Sequence, residues 1–450
     1  MSRARKVLLG SGVAVVLIVA GVLLYARPLL ETATGYAAHN ACAVRLLAGR
    51  GVEAPAADLP PNPLVPLMST SVDESEGTAS AALFGLFGQT AWHTPGLGCT
   101  LADERPTLTS PDPVEIVADE VWPLGETVPP PPADVDSAAL EAALDSAFAE
   151  DDPAGRAVGA RAVVVVHEGQ IVAERYADGF DADTPQLGWS MAKSVTNAMV
   201  GRLVADGVLT LDQDNLVSAW TGDRAAITLD DLLHMASGLE WDETYALGTP
   251  VTEMLYRQTD MGAYAADLPL ESDIGSVTQY SSGTTNIICD ILHTETGTGE
   301  ALAHELVFRP LGMHTAVLEP DASGDLVCSS YLWATPRDWA RFGLWFADGG
   351  SWQGEQLLPP EWVEYSSESR AAEGEDAGHA AHWWANDTGD GDLVLPDVPA
   401  DAFWASGHDG QRVFVVPSEE LVVVRMGFTP QIPSSELGYN EMLSDIIDGL

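Results

Sequence analysis

Trp189-Ser190-Met191-Ala192-Lys193 is the stretch on which the reading turns. Residues three apart on a helix lie about one turn along the same face, so Ser190 and Lys193 point the same way if a helix begins here. A serine hydroxyl attacks a carbonyl only when a base takes its proton. A lysine amine is such a base once burial or a neighbouring positive group lowers its pKa. The pattern S-x-x-K arises by chance about once in an ordinary chain of this size, but composition sharpens it here. Of 20 basic residues only Lys6 and Lys193 are lysines. A chain that uses arginine almost everywhere else keeps lysine at one helix start, where an arginine could not give up its proton.

Outward from this stretch, the pattern predicts a helix from about 190 to 206, stopped by Gly207. Upstream, residues 162–166 and 171–176 are two β-rich runs around Glu168-Gly169, a hairpin signature. Before them, Asp134 or Asp136 can cap a helix that carries Leu140, Leu144 and Phe148 on one face. Downstream, Thr228 to Asp231 resembles a capping box opening a helix that ends near Gly238. Thr335 and Pro336 open another through Trp339 and Phe342. The β pattern returns at 403–405, 412–416 and 421–426, before a final helix at about 439–447. Strands at both ends with helices between predict an α+β (α/β) architecture: one sheet assembled from distant segments, with a helical region inserted.

Two further segments carry polar chemistry. In Gln279-Tyr280-Ser281-Ser282-Gly283, a tyrosine beside a lysine ammonium can shuttle a proton between nucleophile and leaving group. In Ser406-Gly407-His408-Asp409-Gly410-Gln411, glycines flank a histidine at a strand start, where substrate can approach the backbone and an edge strand can offer an N–H to an oxyanion. Read in order, S-x-x-K, Tyr-x-Ser and His-x-Gly resemble the serine β-lactamase-like hydrolases. The resemblance is to the class C-related branch, which includes esterases, D-amino-acid-releasing peptidases and aminohexanoate-dimer hydrolases. It covers about residues 135–450 and extends to residues 232–239, 309–313 and 330–335.

The resemblance implies a β-lactamase/transpeptidase-like fold: an antiparallel sheet flanked by helices plus a helical lobe, with the site in the cleft between them. It implies Ser190 as acylated nucleophile, Lys193 as proton acceptor and Tyr280 as acid/base partner. Ser282 stands where β-lactamases usually carry asparagine, and His408 where they usually carry lysine, with Gly410 completing that motif. The backbone N–H groups of Ser190 and Gln411 would form the oxyanion hole. Losing both the asparagine and the lysine weakens recognition of a β-lactam carboxylate. The pattern is thus closer to the amide- and ester-hydrolysing members than to a β-lactamase or DD-peptidase. A non-catalytic envelope protein that binds peptidoglycan fragments is the alternative of a different class. No CxxC or HExxH occurs, so no metal or cofactor is expected. His379 and His382, beside Trp383 and Trp384, read as cleft wall or core rather than ligands.

The remaining sequence bounds location and partners. With 67 acidic against 20 basic residues the formal charge is −47, which excludes a simple nucleic-acid-binding role. Hydrophobic residues make up 46%, enough for a large core. Arg3, Arg5 and Lys6 precede an uncharged run of 19 residues, 7–25. As a helix this spans about 28 Å, close to the hydrocarbon core of a bilayer. Its positive flank predicts a membrane anchor with the rest of the chain extracytoplasmic (periplasmic), in a bacterial-type envelope. A cleaved signal peptide is the rival, its nearest small-x-small site being Ala33-Thr34-Gly35. Four cysteines allow three connectivities; the pairs Cys42–Cys99 and Cys289–Cys328 are expected because each stays within one region. The chain divides into residues 1–30 (stub and anchor), 31–133 (an irregular segment ending in the Pro129–Pro132 spacer) and 134–450 (the hydrolase domain). The expected partner is a small-molecule amide or ester.

Overall fold

The computed structural model describes residues 3–370 and 378–450, with the side chains of residues 3–20 and 22 left aside. In chain order the elements that matter are α1 (Arg3–Cys42), then β1 (Met68–Asp73), β2 (Thr78–Leu83), β3 (Leu86–Thr94) and β4 (Gly98–Leu101). Next come α2 (Ser137–Ala147), β5 (Ala160–His167), β6 (Gln170–Tyr176) and α3 (Met191–Ala205). A helical stretch follows with α4 (Leu229–Leu233), α5 (Pro250–Arg257), α6 (Met261–Asp267) and α7 (Ser282–Thr296). The chain closes with α8 (Pro336–Ala347), β7 (Trp384–Ala385), β8 (Phe403–Gly407), β9 (Gln411–Val416), β10 (Leu421–Gly427) and α9 (Tyr439–Asp448).

The expected sheet is present. Six strands in the order β7-β8-β9-β10-β5-β6 pair antiparallel, so the late strands join the early hairpin through β10 and β5. The run Ala162–Val166 is apolar at every position because both faces of the sheet are covered. Val163 and Val165 face α2 and α9 with Leu140, Leu144, Leu443 and Ile446. Ala162, Val164 and Val166 face the larger core with Trp339, Phe342 and Phe346 of α8. Asp136 caps α2 by accepting from the N–H groups of Ala138 and Ala139, each bond replacing one that the first turn lacks. The Thr228 capping box also forms, but α4 stops at Leu233, short of Gly238, because Met235 takes a left-handed φ of 57°. The helical lobe lies between β6 and the closing strands, as expected.

Residues 31–101 depart from the irregular segment expected there. α1 continues unbroken to Cys42, and β1-β2-β3-β4 form a separate antiparallel sheet packed along it. These strands are built largely of Ala, Ser, Thr and Gly, which carry little hydrophobic alternation, so the period-2 signal is faint. The sheet is held by burial against α1: Ala81 clusters with Ala37 and Ala38, while Ala79 and Ala91 cluster with Ala41 and Cys42. Both expected disulfides are present, Cys42–Cys99 tying α1 to β4 and Cys289–Cys328 tying α7 to the segment after the lobe. A buried bond links His39 to Glu319, whose carboxylate also accepts from the Cys99 N–H, so the N-terminal unit is locked onto the rest of the chain.

Among the described residues no helix is long and apolar enough to cross a membrane. Most of the 7–25 run lies outside the described side chains, so the expectation of an anchor draws no support from the structure.

Candidate active site

Gly188, Trp189 and Ser190 turn the chain sharply into α3. The Gly188 N–H donates to Leu332 O, and a Cβ on Gly188 would collide with the Trp339 ring. Trp189 sits at φ 50°, a conformation that costs a non-glycine residue about 1 kcal/mol or more unless its surroundings enforce it. The surroundings are rings: Tyr36 of α1 lies 6.4 Å from Trp189 between centroids, and Tyr245 and His408 meet it edge-on at 6.0 Å and 5.7 Å. The turn leaves Ser190 at the helix N-cap and brings Lys193 beneath it.

Lys193 is 1% exposed, and its ammonium has three partners. Nζ lies 3.0 Å from Ser190 Oγ, 2.9 Å from Ser282 Oγ and 3.0 Å from Ser329 O. The Tyr280 ring centroid is 4.9 Å from Nζ. Burial pushes the lysine down to about 8, against the opposing pull of the Glu243 carboxylate. The amine is therefore partly neutral near neutral pH and within hydrogen-bond reach of the hydroxyl it would deprotonate.

Glu243, which the sequence reading did not single out, completes this cluster. Its Oε1 accepts from Ser282 Oγ at 2.6 Å, and its Oε2 accepts from the Ser282 N–H at 2.9 Å and from Trp241 Nε1 at 2.6 Å. A chain of polar contacts thus runs Ser190–Lys193–Ser282–Glu243. Glu243 sits in an irregular loop without periodicity, so its only sequence signal is proximity to the Leu232–Leu239 segment. The Ser329 carbonyl is oriented by Asn286, whose Oδ1 accepts from the Ser329 N–H, and by the adjacent Cys289–Cys328 disulfide.

Ser190 opens onto a cavity of about 920 Å³, lined also by Tyr280, Trp241, Tyr245, Trp384 and His408. The His408 ring stacks on Tyr245 at 4.6 Å. Asp242, Glu243 and Glu271 contribute carboxylates to the lining, and among the described residues lining it there is no lysine or arginine. His379 packs edge-on to Tyr280, and the His382 ring meets Thr285; burial pushes both imidazoles down, His379 to about 3, so both are neutral residues buried behind the cavity. No group of acidic, histidine or cysteine side chains suited to a metal occurs among the described residues.

The structure brings Ser190, Lys193, Tyr280 and Ser282 together, with His408 in the same cavity, but Gly410 and Gln411 lie elsewhere. Gly410 sits in the tight turn after His408, and its carbonyl accepts from Arg425 and from Tyr439. The Gln411 side chain is exchanged with the Gly427 backbone, and Gln411 faces Gly407 across the β8–β9 hairpin. The Asn386 N–H donates to Ala402 O, so Ala402, Trp404 and Ser406 aim their backbone groups toward β7, while Phe403, Ala405 and Gly407 aim theirs toward β9. β7 pairs only as far as Trp404, which leaves the Ser406 N–H at an open edge beside the cavity. Gln411, expected to supply an oxyanion N–H, begins β9 and pairs with Gly407 across the turn.

Comparison with known proteins agrees with this fold. The chain is 24% identical over 298 residues to the 6-aminohexanoate-dimer hydrolase of Paenarthrobacter ureafaciens, covering 60% of this chain and 72% of that one. A solved structure from Bacillus anthracis, proposed to be a 6-aminohexanoate-dimer hydrolase, superposes with a TM-score of 0.58 at 23% identity, covering 75% of this chain and 90% of that one. A penicillin-binding protein homologue from Caulobacter crescentus gives 0.55 at 19% identity, covering 72% and 99%. The Beta-lactamase family profile matches residues 144–431, a span that holds the S-x-x-K helix, the tyrosine and the β8 edge, and the chain belongs to that family of serine hydrolases.

Proposed function

We propose that the protein is a membrane-anchored, extracytoplasmic serine hydrolase that cleaves an amide or ester through an acyl-enzyme on Ser190. The observation that carries this reading is the 3.0 Å contact between Ser190 Oγ and a buried Lys193 amine held near a pKa of about 8. Neutral Lys193 accepts the Ser190 proton as the hydroxyl attacks the substrate carbonyl. The N–H groups of Ser190 and Ser406 receive the developing oxyanion. Tyr280, over the lysine, passes a proton to the leaving group, and the same relay activates water for deacylation. Ser282 and Glu243 fix the ammonium between turnovers. The acidic lining favours neutral or cationic substrates and disfavours carboxylates, so penicillin recognition fits less well than a simple amide or ester.

The envelope location rests on the positive flank of the 7–25 run and on two disulfides, which persist in oxidising compartments. Thr32 to Gly35 are packed inside the body, which favours an uncleaved helix over cleavage at that point. The test is a serine-reactive fluorophosphonate. Wild type should gain one adduct, mapped to Ser190 by mass spectrometry, and Ser190→Ala should gain none; an adduct that persists in the variant sinks the assignment. A panel of p-nitrophenyl esters, short amides and a chromogenic cephalosporin then separates the esterase or amidase reading from a penicillin-directed one.

A further inference from the structure

Exposed apolar side chains gather at one end of this highly acidic chain. Tyr25 is 87% exposed and Leu24 70% on α1, and Phe84 is 70% and Leu86 57% exposed on the turn between β2 and β3. Leu29 and Leu67 are exposed with them. Packing along α1 fixes where the turn points. Cys42 and Ala41 cluster with Cys99, Ala79 and Ala91, then Ala38 and Ala37 with Ala81, and then Thr34 donates to Phe87 O. Moving toward the helix N-terminus therefore moves toward the β2–β3 turn, and that turn projects beyond Thr34. Leu67 joins it because Met68 pairs with Leu83.

Leu83 pairs with Leu86, so Phe84 and Gly85 form the tip, two strand steps or about 7 Å beyond Phe87, which is four to five residues of helix at about 1.5 Å each. The tip thus stands level with about Leu29 to Leu30, about one helical turn beyond the end of the apolar run at Tyr25. Leu29 in turn abuts Gly248, which follows the cavity-lining Tyr245 by three residues.

We propose that the β2–β3 turn, together with residues 24–29 of α1, is a bilayer-docking surface. Phe84, Leu86 and Leu67 enter the headgroup–acyl boundary of the membrane that holds residues 7–25 and seat the rim of the catalytic cleft against it. The proposal rests on the anchor reading above. The occupant is the membrane interface because the patch is continuous with the point where the 19-residue apolar run emerges. The chain's net charge of −47 makes an uncharged leaflet the favoured surface.

The test uses the full chain in phosphatidylcholine vesicles. All four native cysteines are paired, so Leu24→Cys, Phe84→Cys and, as a control on the β5–β6 turn, Gln170→Cys can each be given one nitroxide. Collision rates with oxygen and with a water-soluble nickel chelate report depth. Labels at 24 and 84 should favour oxygen several-fold over the label at 170. A label at 84 as water-exposed as that at 170, with 24 inside the bilayer, overturns the docking surface and leaves the anchor intact. Water-exposed labels at both 24 and 84 overturn the anchor reading with it. Fluorophosphonate labelling of each variant verifies folding, and Leu86→Cys serves as the second position on the turn.

Discussion

Glu243→Gln is the sharpest probe of how the nucleophile is activated. Ser282 Oγ lies 2.9 Å from Lys193 Nζ and 2.6 Å from Glu243 Oε1. The carboxylate and ammonium are therefore at most about 5.5 Å apart, and at an effective dielectric near 20 their attraction is worth about 3 kcal/mol. Glutamine keeps an acceptor for Ser282 but removes the charge that holds the proton on Lys193. At about 1.4 kcal/mol per unit, the lysine should fall from about 8 to about 6. A base must be neutral to act, so the activity of the wild type rises with pH through about 8 and levels above it. In Glu243→Gln the same limb should move down by one to two units. At pH 6 the neutral fraction would grow from about 1% to about half, while the plateau drops because a less basic amine is a poorer proton acceptor. The assay is the second-order rate of fluorophosphonate labelling between pH 5 and 10, which reads the free enzyme. A limb that stays at its wild-type position, or moves up, refutes the charge coupling.

Three other outcomes follow from the same geometry. Lys193→Arg should lose at least about a thousandfold in turnover, since arginine keeps the charge but cannot act as the base; near-normal turnover on an ester would remove Lys193 from that role. Tyr36→Ala should slow labelling of Ser190 about tenfold or more, by loosening the left-handed Trp189, while Tyr36→Phe should stay near wild type because the ring is retained; equal rates in all three proteins would show that α1 does not brace the nucleophile. Replacing Cys289 and Cys328 by alanine opens a loop of 39 residues, which the chain-entropy relation values at about 4 kcal/mol. It should also lower activity by freeing the Ser329 carbonyl from Lys193, and a melting point and turnover unchanged on denaturation and kinetic assay would contradict both effects.

Local sequence determined the elements with strong periodicity or cap chemistry. The valine run of β5, the Asp136 and Thr228 caps, the Thr335-Pro336 helix start and the S-x-x-K turn each carry their own short-range physics, and each forms as read. The pairing of Ser190 with Lys193 was legible because three residues of helix make about one turn. The resemblance to a hydrolase family added Tyr280 and Ser282, which no local rule joins to that turn. Only the tertiary structure decided the rest. Glu243 reaches the lysine through a loop whose path depends on Trp241 and α7. The Ser406 N–H becomes available because β7 ends at Trp404, a fact about a neighbouring strand. The small-residue strands β1–β4 gain their stability from burial on α1, which a sequence pattern of alanine, serine and threonine does not encode. Hydrogen bonds between neighbours along the chain can be read from spacing, whereas an open sheet edge, a buried charge or a face covered by a distant helix exists only once the chain has closed on itself.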